Sequence, residues 1–473
     1  MSEYQYNKVT PEMIEKFKEI APKRVLVGDE INEDFTHDEM AIYGKARPEV
    51  LVEATSTEEV AAIVKLCNEN KVPVTPSGAR TGLVGGAVSI GGGVMISLTK
   101  MNKILEYDKE NFVVKIQSGV LLNDLAQDAE KQGLLYPPDP GEKFATVGGN
   151  VATNAGGMRA VKYGCTRDYV RAMTVVLPTG EIVKLGATVS KTSSGYSLLN
   201  LMIGSEGTLG IITELTLKVI PAPKSVISLI IPYENLEDCI ATVPKFFMNH
   251  LAPQALEFME KEVVMDTEKF LGKQVYPKEM EGIEVGAYLL ATFDGNSEEQ
   301  LEDIVEQAAE VVVEAGAIDV LVADTPALKK DAWAVRGALL EAIEADTVLL
   351  DECDVVVPTN KIAEFLTYTK SLEADFRVKS FGHAGDGNLH IYTCSNDMEE
   401  AEFKKQVAVF MDKVYAKATE FGGMISGEHG IGHGKMDYLA ESLGPVQMRI
   451  MEGVKEVFDP NMILNPGKIC YKL

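Results

Sequence analysis

Four of the six histidines fall between 383 and 433. Three of them sit in two short glycine-rich phrases, His383-Ala-Gly-Asp-Gly-Asn-Leu-His390 and Gly427-Glu428-His429-Gly430. Two imidazoles, a carboxylate and a spare imidazole are enough to build a divalent-metal site with a general base beside it. His383 and His390 flank Gly385-Asp386-Gly387, a tight-turn sequence that can fold back so that both rings face one point. One histidine in such a turn would be read as a hydrogen-bonded turn residue; the combined pattern points to a site. His433 lies outside it and is read as solvated.

Chemistry of this kind needs a scaffold, and 473 residues supply two or three domains, each able to bury a core. A net charge of −26 argues against nucleic acid or an anionic membrane surface as the main partner. No apolar run approaches the length of a membrane-spanning helix, and the N-terminus Met1-Ser-Glu-Tyr-Gln-Tyr6 lacks a basic-then-apolar leader, so a cytoplasmic protein with no integral membrane segment is expected. The six cysteines are scattered without a CxxC pair, which favours reduced thiols and no iron–sulfur cluster in this chain.

The run Val50-Leu-Val-Glu53 reads as a strand and Ser56-Thr-Glu-Glu59 as a helix cap, followed by Val60, Ile63, Val64 and Cys67 at helical spacing. After Val72-Pro-Val-Thr-Pro76 this β-α-β unit opens into Pro76-Ser-Gly-Ala-Arg-Thr-Gly-Leu-Val-Gly-Gly-Ala87, whose glycines let backbone N–H groups approach an anion. It is neither a dinucleotide fingerprint nor a P-loop. Further glycine clusters follow at Ala145-Thr-Val-Gly-Gly-Asn150, Thr153-Asn-Ala-Gly-Gly157 and Gly204-Ser-Glu-Gly-Thr-Leu-Gly210, with the stiff turn Pro137-Pro-Asp-Pro-Gly141 and the pair Tyr163-Gly164 among them. Small residues at this density suggest a flat ligand lying against the backbone.

These motifs in this order, completed by GHAGDGNLH, GEHGIG and Asn465-Pro-Gly-Lys468, resemble the FAD-linked 2-hydroxyacid oxidoreductases of the vanillyl-alcohol-oxidase type. Within that family they are most similar to D-lactate dehydrogenases and the glycolate oxidase catalytic subunit. The resemblance runs from about residue 45 to the C-terminus. It implies an α+β fold: a two-part FAD-binding domain over 1–222, a substrate-binding cap over 223–425 of α/β type with an antiparallel sheet and flanking helices, and a segment 426–473 returning to the FAD domain to complete the active site. Pro221-Ala-Pro223-Lys reads independently as a boundary. The phrases Ile227 to Cys239 and Asp354 to Glu364 repeat one strand-Pro-turn-helix pattern, suggesting two similar halves in the cap sheet. Between them, Ser297-Glu-Glu-Gln300 opens an amphipathic helix with Leu301, Ile304, Val305, Ala308, Val311 and Val312 on its packing face.

By the same resemblance, FAD is held by Pro76, Ser77, Gly78, Ala79, Arg80, Thr81, Gly82, Pro138, Asp139, Thr146, Gly149, Asn150, Thr153, Gly156, Gly157, Tyr163, Gly164, Glu206, Gly207, Gly210, Ile211, Ile212 and Asn465. Ala79-Arg80 stands where a tethering histidine would be in relatives that use one, so non-covalent FAD is expected; Cys165 is read as a buried structural thiol.

Oxidising a 2-hydroxy acid requires a base for the hydroxyl proton, stabilisation of the developing alkoxide, and a cation for the carboxylate. His429 is the candidate base. His383, His390 and Glu428 are the candidate ligands of a divalent ion, for which Zn, Mn and Fe(II) all suit two nitrogens and an oxygen. Arg336, in Trp333-Ala-Val-Arg336, is the candidate carboxylate clamp. Lys379 is read as a solvated strand-edge residue. In similar D-2-hydroxyglutarate dehydrogenases basic or polar groups grip a distal carboxylate; the aligned Leu340, Glu352 and Tyr392 do not suit a second anion, so a small 2-hydroxy-monocarboxylate is expected, lactate before glycolate. Reduced flavin then needs a separate acceptor; by resemblance a protein is expected, an electron-transferring flavoprotein or an iron–sulfur subunit, with a quinone or oxygen as the other choices. A glycolate oxidase catalytic subunit and a D-2-hydroxyglutarate dehydrogenase are the enzymatic alternatives; a non-catalytic FAD-binding subunit should lack both histidine phrases.

Overall fold

The computed structural model describes residues 5–473; residues 1–4, the start of the stretch read for a leader, lie outside the described residues. The chain forms two compact units. The first comprises Met1–Gly156, Cys165–Ala222 and Glu428–Leu473, the second Gly157–Gly164 and Pro223–Gly427.

In the first unit Ser56 caps helix Thr57–Glu69 by accepting the Glu59 N–H, and Val60, Ile63, Val64 and Cys67 are buried against a core containing Val50, Val52, Val74 and Ile96. Such a cap contributes about 1 kcal/mol. Glu59 does not close the box; its carboxylate turns to the Thr55 N–H and to Arg24. Strands Val50–Glu53 and Val74–Ser77 do not pair directly, because Val94–Ser97 lies between them, parallel to both. A second, five-stranded antiparallel sheet runs Ile104–Asp108, Val113–Gln117, Ile211–Lys218, Val170–Val176, Ile182–Gly186.

The C-terminal tail returns beside Val74–Ser77, with the Val74 N–H donated to Ile463 O and the Asn465 N–H to Val74 O. Helix Met436–Phe458, interrupted at Gly444-Pro445, leads into it. The Lys455 ammonium is buried and donates to the Asp459 carboxylate, Thr208 O and Leu464 O. Lys455→Met leaves Asp459 buried without its counter-ion, so a loss of about 3–5 kcal/mol is expected in denaturant unfolding of the FAD-loaded protein. An unchanged midpoint would show that the pair contributes nothing net.

The second unit is built on one seven-stranded sheet, antiparallel throughout, in the order Leu321–Ala323, Ser225–Tyr233, Ala287–Gly295, Ala255–Glu260, Arg377–His383, Asn388–Ser395, Leu349–Val356. The repeated phrase yields helices Leu236–Met248 and Ile362–Ser371 after its two strands. Ser297 caps helix Glu298–Glu314, whose Leu301, Ala308 and Val312 are buried. The expected run 1–222 is interrupted: Gly157–Gly164 groups with the second unit, because Lys162 and the Tyr163 hydroxyl both bond Asp294 and Val161 packs against Gly385. The following boundary falls after Gly427 rather than 425.

Candidate active site

The second unit carries a polar cluster on one face of its sheet, and strand register explains it. The hairpin Arg377–His383 to Asn388–Ser395 pairs His383 with Asn388 and Phe381 with His390. Side chains alternate with period 2 and opposed residues share a face. His383 and His390 therefore project on the same side, their rings 5.3 Å apart between centroids and 87° to one another. A potential donor atom of each lies within 4.8 Å of the other. The neighbouring strands add Glu257, in register with His383, and Asp354, in register with His390.

Glu257 is fully buried, and each of its carboxylate oxygens lies within 2.9 Å of His383 Nδ1. The same carboxylate accepts from Arg336 Nε at 2.9 Å and pairs with Arg336 Nη2 at 2.6 Å. Burial works against its charge, but His383 and Arg336 more than offset this and hold the carboxyl below its usual range. An Nδ1 engaged in this way leaves the opposite ring nitrogen for a metal. His390 Nδ1 lies 3.8 Å from Glu352, a residue expected to repel a second substrate carboxylate and found instead buried beside the histidine. Tyr392 stacks on Phe381, and burial, with Glu352 nearby, keeps its phenol protonated well above the ordinary range.

Arg336 is buried over the Phe381 ring, and its Nε–Nη2 edge is committed to Glu257, so only its other edge can meet a substrate carboxylate. Lys379 is not solvated: it is buried and paired with Asp266 at 2.6 Å, since its strand lies inside the sheet. Asp354 accepts from Asn388 Nδ2, Ser426 Oγ and the Gly427 N–H, tying the histidine hairpin to the residues just before Glu428.

Neither Glu257 nor Asp354 was singled out as a site residue from the sequence. The one available signal was an acid inside an apolar strand, Ala255-Leu-Glu-Phe-Met259 and Cys353-Asp-Val-Val356.

In the first unit, motifs far apart in sequence converge. A Cβ on Gly78 would lie 2.2 Å from Thr146 Oγ1, and one on Gly207 would lie 2.5 Å from Pro76, so these approaches require glycine. Thr146 caps helix Val147–Thr153, which carries Gly149, Asn150 and Thr153. Pro76 and Ser77 end strand Val74–Ser77, Ile211 and Ile212 begin strand Ile211–Lys218, and Asn465 Nδ2 donates to Gly86 O and Glu206 O. The Asn150 Nδ2 is buried with no acceptor among the described residues, a donor suited to a cofactor oxygen. Glycine-lined turns with an unspent amide fit FAD.

Several expected contacts have other work. The Arg80 guanidinium lies 3.9 Å over the Phe35 ring and donates to Asp34 O. Tyr163 spends its hydroxyl on Asp294. Glu206 accepts the N–H groups of Ile431 and Gly432. Cys165 is half-buried rather than buried, and burial followed by Asp168 raises its thiol pKa.

Glu428 packs against Gly156, and His429 Nε2 lies 3.8 Å from the Glu428 carboxylate. His433 is not solvated: its ring lies against Gly85 and edge-on to Tyr43, and burial with Lys468 lowers its pKa to about 4.

Fold and site define a flavin-dependent oxidoreductase. Residues 48–186 match the FAD binding domain, and residues 222–469 the C-terminal domain of FAD linked oxidases. The chain belongs to the FAD-linked oxidase family. It is 97% identical to D-lactate dehydrogenase of Anaerostipes hadrus over the whole of both chains. It is 40% identical to D-lactate dehydrogenase of Archaeoglobus fulgidus, over 90% of this chain and 92% of that one. A crystal structure of p-cresol methylhydroxylase with substrate bound superposes with a TM-score of 0.77 over 98% of each chain at 18% identity, which establishes the vanillyl-alcohol-oxidase-type fold. No helix among the described residues is long and apolar enough to cross a membrane.

Proposed function

We propose that the protein oxidises D-lactate to pyruvate with non-covalently bound FAD and a divalent metal. The observation that carries the reading is the paired histidines of the second unit, each with a glutamate at its Nδ1 side, on a sheet face against which Arg336 packs from its helix. Similarity to the two D-lactate dehydrogenases favours D-lactate, and Glu352 and Tyr392, an acid and a phenol buried near His390, disfavour the second carboxylate of 2-hydroxyglutarate. His383 and His390 serve as ligands with Glu428 as the third; the ion, zinc, manganese or ferrous iron, would polarise the substrate oxygens. His429 takes the hydroxyl proton. Arg336 neutralises the carboxylate through its uncommitted edge. Bound FAD supplies the acceptor for the hydride leaving the α-carbon.

Electrons leave to a separate protein, an electron-transferring flavoprotein or an iron–sulfur subunit. The protein acts in the cytoplasm.

The test is steady-state turnover of D-lactate, L-lactate, glycolate and D-2-hydroxyglutarate with a dye acceptor, with and without chelator. D-lactate should give the highest kcat/KM, and chelation should abolish it until metal is restored. A preference for another acid, or indifference to chelation, rejects the reading. His383→Ala should lower bound metal measured by elemental analysis; a fully retained stoichiometric ion removes His383 from the ligand set.

A further inference from the structure

Glu206 belongs to the Gly204-Ser-Glu-Gly motif, yet its carboxylate is directed away from a ligand role. It is buried, and its two oxygens accept the N–H groups of Ile431 and Gly432, each at 2.7 Å. The approach leaves no slack: a Cβ on Gly430 would lie 2.8 Å from Glu206 Oε1. Its backbone is held as well, at φ +50° with its carbonyl accepting from Asn465 Nδ2 at 2.7 Å. At the other end of the same five-residue stretch, a Cβ on Gly156 would lie 3.0 Å from the Glu428 carboxylate. The segment Glu428 to Gly432 is thus packed closely against Gly156 at one end and held at the other by a buried carboxyl group that accepts two consecutive amides. A reacting group misplaced by an ångström loses roughly 100-fold in rate.

We infer that Glu206 is a positioning residue, fixing Glu428 and His429 through the backbone of Ile431 and Gly432 rather than binding FAD with its side chain. The inference rests on the reading of His429 as the base. Replacement by glutamine puts an amide donor where one of the two N–H groups needs an acceptor, while volume is conserved.

The test uses full-length, FAD-loaded Glu206→Gln and Glu206→Asp proteins, followed by FAD absorbance, kcat and KM for D-lactate, and amide hydrogen exchange. Glu206→Gln should retain FAD, lose at least roughly 10-fold in kcat, and exchange faster only over 427–434. Glu206→Asp keeps the carboxyl group on a shorter stem and should lie between it and the parent. Parent-like exchange and kcat overturn the inference. So does exchange raised alike across the first unit, which assigns Glu206 to general stability, or loss of FAD with unchanged exchange, which assigns it to the cofactor. His429→Ala separates the two readings: if it retains parent turnover the base assignment fails, while the local exchange of Glu206→Gln still reports whether the segment is held. If His429→Ala is inactive and Glu206→Gln is parent-like, the positioning role alone fails.

Discussion

His429→Ala should turn over at least roughly 100-fold more slowly than the parent while remaining yellow with bound FAD, the usual worth of a general base. The imidazole is mostly buried beside Glu428, in a segment whose backbone is secured independently of the ring. Removing it should leave fold and cofactor in place and take away only the proton acceptor. The pH profile should respond too: a parent limb reporting a base should vanish in the variant, whose residual rate follows solvent. Parent-like turnover with D-lactate would falsify the assignment.

Glu257→Gln carries the next largest effect, because one buried carboxylate serves two cations. It neutralises Arg336 and orients His383, and it is fully buried. Losing its charge leaves Arg336 buried and unpaired, for which about 3–5 kcal/mol of destabilisation is expected. If His383 is a ligand as proposed, losing its outer partner should weaken metal binding by roughly 10–100-fold. A competition titration against a chromophoric chelator and a melting curve read the two separately. Metal affinity and stability both equal to the parent would mean that Glu257 fills space only.

The two predictions differ in how visible their residues are in the chain. His429 stands in a short glycine-flanked phrase, and its neighbours announce it. Glu257 lies 126 residues from His383 and is brought to it by strand pairing, through a sheet whose order no local pattern encodes. The same limit explains the other revisions. The β-α-β unit was legible from the cap at Ser56 and the helical spacing of Val60, Ile63, Val64 and Cys67, but not the insertion of Val94–Ser97 between its strands. Lys379 looks like a surface charge in a one-dimensional reading and is buried because its strand lies inside the sheet. Glu206 was legible as part of a motif, and its carboxylate's partners were not, since they come from 225 and 226 residues away.

Composition, motif order and glycine placement were sufficient to define the FAD-linked family and the tight turns of the first unit, because close approach of one backbone segment to another admits only glycine, a requirement written residue by residue. Which charges face one another was settled in three dimensions, by the register of the seven-stranded sheet and the return of the C-terminal tail. Electrostatic partnership depends on separation in space, and at sequence distances above a hundred residues no local spacing records it.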